Sequence, residues 1–158
     1  MRTLLIMRHG KSSWKDAELP DIERPLKKRG RKDVVHMGKL LAGKKLKPDL
    51  ILCSTAKRAR QTAEIVVEEI GFKGKVEYLD SLYMAELDTL IKTLQSLPDV
   101  KRVMIIGHNP GLETLAQLLT DKITSLPTAA VACIKIPISN WQELGIKSTG
   151  KLSNLWTP

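Results

Sequence analysis

Three times in this chain a short, fully apolar run ends in a sharp polar turn. Thr3-Leu4-Leu5-Ile6-Met7 runs into Arg8-His9-Gly10, Leu50-Ile51-Leu52-Cys53 into Ser54-Thr55-Ala56-Lys57-Arg58, and Val103-Met104-Ile105-Ile106 into Gly107-His108-Asn109-Pro110. Runs without polar alternation read as strands buried on both faces, which requires helices above and below the sheet. The intervening segments supply them. Val34, Met37, Leu40 and Leu41 recur at helical spacing between about Lys28 and Leu41, with Gly43 as the stop. Ala56, Ala59, Ala63, Val66 or Val67 and Ile70 share one face, and Gly71 stands where a left-handed C-cap belongs. A third helix is expected from Leu87 to Leu97, before Pro98, and a fourth from Pro110, at the first helical position, to Leu119. Val76–Leu79 and Ala129–Ile136 read as further strands, and 145–155 as a weak one closing the sheet as a hairpin.

This alternation predicts a three-layer α/β/α architecture with a central, mostly parallel sheet. With 158 residues and no repeat or low-complexity linker, one domain over 1–158 is expected. No apolar run approaches the ~18 residues of a membrane span, and Met1–Met7 is too short for a secretory leader. Cys53 and Cys133 lie inside apolar runs and read as reduced core thiols. The expectation is a cytoplasmic monomer. Three histidines without close pairing and without a CxxC motif predict neither metal nor cofactor.

If the three strands are parallel, their turns lie together at the carboxyl edge of the sheet, where α/β folds bind ligands. Arg8, His9, Arg58 and His108 then converge from distant parts of the chain. Two guanidinium forks and a helix N-terminus suit a tetrahedral oxyanion. An imidazole neutral at physiological pH is a competent nucleophile toward phosphorus.

Net charge bears on the partner. The chain carries +9, and residues 1–60 hold 17 basic against 6 acidic groups, which suggests an anionic partner. The run Leu26-Lys27-Lys28-Arg29-Gly30-Arg31-Lys32 could be a nucleic-acid patch or the solvated start of a helix. Only six aromatics occur, scattered along the chain, which gives no stacking platform and favours the helix. His36, between Val35 and Met37, reads as structural or exposed. Cys53 is separated from Arg58 by four residues and from Arg60 by six, so the Cys-x5-Arg loop of thiolate phosphatases is absent.

Arg8-His9-Gly10 after an N-terminal strand, Arg58-Ala59-x-Gln61-Thr62-Ala63, and Gly107-His108 in that order resemble the histidine phosphatase superfamily, with its phosphoglycerate mutase-like fold. Lys11-Ser12-Ser13-Trp14, Asp21-x-x-Arg24-Pro25-Leu26 and Pro127-Thr128-Ala129 are similar to its small SixA-type branch, the phosphohistidine phosphatases. The resemblance covers essentially the whole chain. It implies His9 as the nucleophile, Arg8, Arg58 and His108 as the phosphate pocket, and Arg24 as a further substrate-binding residue. It also brings Thr128 toward the site.

Two departures from the larger members matter. The stretch from Phe72 to Asp99 is too short for a large lid, and its acids, among them the candidate proton donor Glu86 and Asp88, lack the family's surrounding motif. Where many larger members carry an Asn shortly after the first motif, this chain has Lys15. An open site without a strong acid fits a leaving imidazole better than an alkoxide. The expected substrate is a phosphohistidine-bearing protein, such as a phosphotransfer domain or phosphocarrier, with no nucleic acid and no membrane involved. The alternatives are a small-molecule phosphomonoesterase and a non-catalytic phosphate- or nucleic-acid-binding module.

Overall fold

A computed structural model describes residues 1–145 and 150–158. The strands are β1 (Arg2–Arg8), β2 (Leu50–Ser54), β3 (Lys75–Leu79), β4 (Arg102–Gly107), β5 (Val131–Ile136) and β6 (Lys151–Trp156). The helices are α1 (Lys28–Gly43), α2 (Lys57–Ile70), α3 (Leu87–Gln95) and α4 (Gly111–Thr120), with short 3-10 turns at Asp21–Glu23, Asp80–Leu82 and Trp141–Glu143. The sheet order is β3-β2-β4-β1-β5-β6. β1 pairs parallel with β4, and β2 parallel with both β3 and β4, whereas β5 runs antiparallel to β1 and to β6. The expected α/β layering with a mostly parallel sheet is what forms.

Strand periodicity sorts the core. Leu4 and Ile6 of β1 join Leu52, Val103, Ile105, Leu90 and Leu115 on the side covered by α3 and α4. Leu5 and Met7 face the other way, with Ile51, Met104, Val34, Met37, Ala63 and Val66 under α1 and α2. Both faces of β1 are therefore dry, the physical reason its sequence does not alternate.

Several boundaries differ from expectation. Gly43 ends inside α1, and Lys45, at φ 57°, makes the left-handed turn. Gly71, at φ 64°, caps α2 as expected. Pro110 sits one position before the first residue of α4. The fifth strand starts at Val131 because Ala129 adopts φ 63°, with its N–H donated to the His9 carbonyl. β6 is the antiparallel neighbour of β5; part of the expected 145–155 strand, residues 146–149, lies outside the described residues. No helix among the described residues is long and apolar enough to cross a membrane.

Candidate active site

Register brings the two histidines together. Arg8, the last residue of β1, is the parallel partner of Gly107 at the end of β4, and the His9 N–H donates to the Gly107 carbonyl at 3.1 Å. The rings that follow stand 5.1 Å apart, centroid to centroid, tilted by 56°. β2, on the other side of β4, ends in Ser54 and leads within three residues into α2, whose second residue is Arg58. Four elements thus converge on one edge of the sheet.

The nucleophile candidate is already in one tautomer. His9 Nδ1 lies 2.7 Å from the Gly10 carbonyl, which can only accept, so Nδ1 carries the proton and Nε2 keeps its lone pair. Arg58 Nε–H points at that lone pair from 3.3 Å. Burial, with the charges of Arg58, Arg8 and Arg24, pushes the His9 pKa down to about 4 against the weaker opposing effect of the Gly10 bond. The ring is therefore neutral near pH 7.

His108 is held through Ser54. Its Nε2 is 2.8 Å from Ser54 Oγ, which already accepts the Ala56 N–H, so the hydroxyl proton is available to Nε2. That assignment leaves Nδ1 as the N–H. Nδ1 is buried without a partner among the described residues, a donor available to a ligand oxygen. Burial, with the neighbouring His9 and Arg58, lowers the His108 pKa to about 3.

Arg24 and Arg58 are organised by a residue to which the sequence reading assigned no role. Asp21 accepts from Arg24 Nη1 at 3.0 Å through one carboxylate oxygen and from Arg58 Nη2 at 2.9 Å through the other. Its main-chain carbonyl accepts Arg58 Nη1 at 2.7 Å. Tyr83 donates its hydroxyl to the same carboxylate and sets its ring edge-on to His108. The Tyr83 hydrogen bond, then those from Arg58 and Arg24, hold Asp21 far below the usual carboxylate range despite partial burial. Asp21 is consequently an anion and not a proton donor. Arg24 is further fixed by Ser13 O and Ser12 Oγ, with Trp14 stacked over its guanidinium.

The cavity has a volume of about 890 Å³. Arg8, His9, Arg24, Arg58 and His108 all line it, and so does Thr128. Glu86 does not: it is exposed at the residue preceding α3. Trp14 and Trp141 part company. Trp14 is 75% exposed at the cavity, whereas Trp141 is wholly buried beneath the sheet and donates to the Val100 carbonyl. Lys27 and Lys28, read from sequence as a solvated helix start, line the cavity too. Cys53 packs in the core; burial pushes its thiol pKa up, and its Sγ–H lies near the Ser54 and Ala59 carbonyls. His36 is exposed on α1. Among the described residues no three His, Cys, Asp or Glu side chains are grouped to hold a metal ion. Three guanidiniums around two neutral imidazoles suit a tetrahedral anion instead.

Comparison with known proteins agrees with this geometry. Residues 4–90 match the family described as the histidine phosphatase superfamily (branch 1). A chloroplastic Arabidopsis thaliana protein of uncharacterized function is 33% identical over 90% of this chain and 70% of its own. The structure of SixA from Agrobacterium tumefaciens superposes with TM-score 0.87 at 25% identity, over 99% of this chain and 98% of that one. The protein histidine phosphatase SixA complexed with tungstate gives TM-score 0.84 at 25% identity, over 98% and 96%.

Proposed function

The chain belongs to the histidine phosphatase superfamily, in its SixA-type branch, and we propose that it hydrolyses phosphohistidine on proteins through a phosphoryl group carried on His9. The observation that carries this reading is the His9 tautomer: a neutral ring, its Nδ1 proton engaged by Gly10 and its Nε2 lone pair directed into a ring of guanidiniums. In the first step Nε2 attacks phosphorus and the bond from phosphorus to the substrate imidazole breaks. That imidazole leaves neutral when its other nitrogen is protonated, with a pKa near ~6.5. Arg58 Nε–H passes from Nε2 to a phosphoryl oxygen, and Arg8 and the free His108 N–H stabilise the others. In the second step water attacks phosphorus and the bond to Nε2 breaks. His9 is released as the neutral imidazole it began as, because Gly10 has kept Nδ1 protonated. Inorganic phosphate leaves with the protons from water.

The placement of the carboxyl groups supports the substrate class. Esters need a proton delivered to a departing alkoxide. Asp21 is held ionised, and Glu86 lies outside the cavity. A leaving imidazole needs no such donor. The chemistry, as proposed, also needs no metal.

Rapid quenching after mixing with a phosphohistidine phosphotransfer domain tests the reading. Acid-labile, base-stable phosphate on the protein is expected, together with release of inorganic phosphate, and His9→Ala should lose both by at least about 10³-fold. Release that survives His9→Ala would overturn it.

A further inference from the structure

Among the described residues seven basic side chains and no acidic one line the cavity, more cationic charge than one phosphoryl group can use. Arg8, Arg24 and Arg58 stand close to His9, but Lys11, Lys15, Lys27 and Lys28 are exposed around the mouth. Among the described residues none of these four lysines forms an ion pair, in contrast to Arg24, Arg29 and Arg58. Like charges left unpaired on one rim repel each other and gain from an anionic surface brought against them.

Two exposed apolar side chains among the described residues interrupt this ring. Trp14 lies against Arg24 on one face of its ring and is 75% exposed, held in place because Arg24 itself is tied to Ser12, Ser13 and Asp21. Met84 lines the cavity too, 48% exposed, on a backbone at φ 49°, a conformation a methionine adopts only when its surroundings impose it. A rigid aromatic and a methionine beside a ring of cations have the composition of a protein-binding surface: apolar anchors within a polar rim. A small phosphate ester would leave both anchors in water. A nucleic acid would match the charge but needs several stacking faces, and Trp14 offers one.

We infer that the rim formed by Lys11, Lys15, Lys27 and Lys28, with Trp14 and Met84, is the docking surface for a folded protein whose phosphohistidine is ringed by aspartates and glutamates beside an apolar patch. The inference rests on the function proposed above and adds that recognition of the protein lies on the rim, outside the phosphoryl pocket. The rim sets KM and the pocket sets kcat. Raised ionic strength weakens the protein reaction and leaves a small phosphohistidine substrate much less affected.

The double variant Lys15→Glu/Lys28→Glu, with a circular-dichroism melt matching the parent, separates the two. Its KM toward a phosphotransfer domain with an acidic surface should rise by at least about tenfold at little change in kcat, while turnover of free phosphohistidine stays within about twofold. Equal KM for variant and parent would overturn the docking surface alone, and so would equal losses on both substrates. If the parent protein fails to dephosphorylate any phosphohistidine protein, the proposed function itself falls and the docking surface with it. Competitive inhibition of the parent by single-stranded DNA, relieved in the double variant, together with an unchanged protein KM, would reassign the rim to nucleic acid.

Discussion

At the floor of the cavity His9, Arg58 and His108 are each at least nine-tenths buried, and a neighbour positions each of them: Gly10, Asp21 and Ser54 respectively. At the mouth Lys11, Lys15, Lys27 and Lys28 are exposed and without ion-pair partners among the described residues. Desolvation explains the contrast. A buried guanidinium is tolerated only where its charge is compensated, so Arg58 arrives with Asp21 and Tyr83 around it. A lysine in water carries no such requirement and stays available to a visitor. The floor therefore has geometry and little freedom, the rim charge and much freedom.

The largest expected break in this contrast is at Arg58. Arg58→Ala should lower kcat on phosphohistidine by about 10²–10³-fold, measured by phosphate release, because a preorganised donor to the phosphoryl oxygens is lost. Arg58→Lys should recover little of it, since one ammonium cannot span Asp21 and His9 as the planar fork does.

The second expected effect is a pH dependence confined to the floor. His9 and His108 have pKa values lowered to about 4 and about 3, against an ordinary value near ~6.5. Between those limits the unfolded chain binds more protons than the folded one, so stability falls as the pH drops from ~6.5 toward 4. The thermal midpoint should decrease across that window, and the variant His108→Gln should show a flatter profile. Charge changes on the rim should leave the profile unaltered. A profile equally steep in His108→Gln would contradict the assignment.

The smallest effect is expected at Ser54. Ser54→Ala frees His108 to carry its proton on Nε2, which removes the Nδ1–H from the ligand. About a tenfold loss in kcat is expected, the worth of about one hydrogen bond of ~1.4 kcal/mol. A ¹⁵N spectrum that shows His108 changing tautomer would tie the loss to that bond; an unchanged tautomer would break the link.

Much of the floor was legible in sequence because its residues sit at the ends of strands. An apolar run buried on both faces must be an interior strand, and parallel interior strands bring their carboxyl ends to one edge. Arg8, His9, Arg58 and His108 were found on that ground and through the family resemblance. Asp21 and Tyr83 gave no such signal. One lies in a 3-10 turn and the other just beyond one, 62 residues apart, where no periodicity operates. The spacing Asp21-x-x-Arg24 hinted at a local pair, but nothing local says that Arg58 joins it. Glu86 illustrates the opposite case. It is a candidate acid through the family resemblance, yet the chain enters α3 with that side chain exposed and not among the residues that line the cavity.

The sequence by itself determined the layered architecture, the sidedness of the core and the identity of the groups at the sheet edge, because burial periodicity is a local property of each segment. Tertiary structure alone decided which cations are tied and which are left over. Lys27, Lys28 and Arg58 are all cations at the starts of helices, yet Arg58 is tied to Asp21, 37 residues away in sequence, while the two lysines look onto the cavity. Compensation of charge depends on distances between segments, and those exist only once the sheet has assembled.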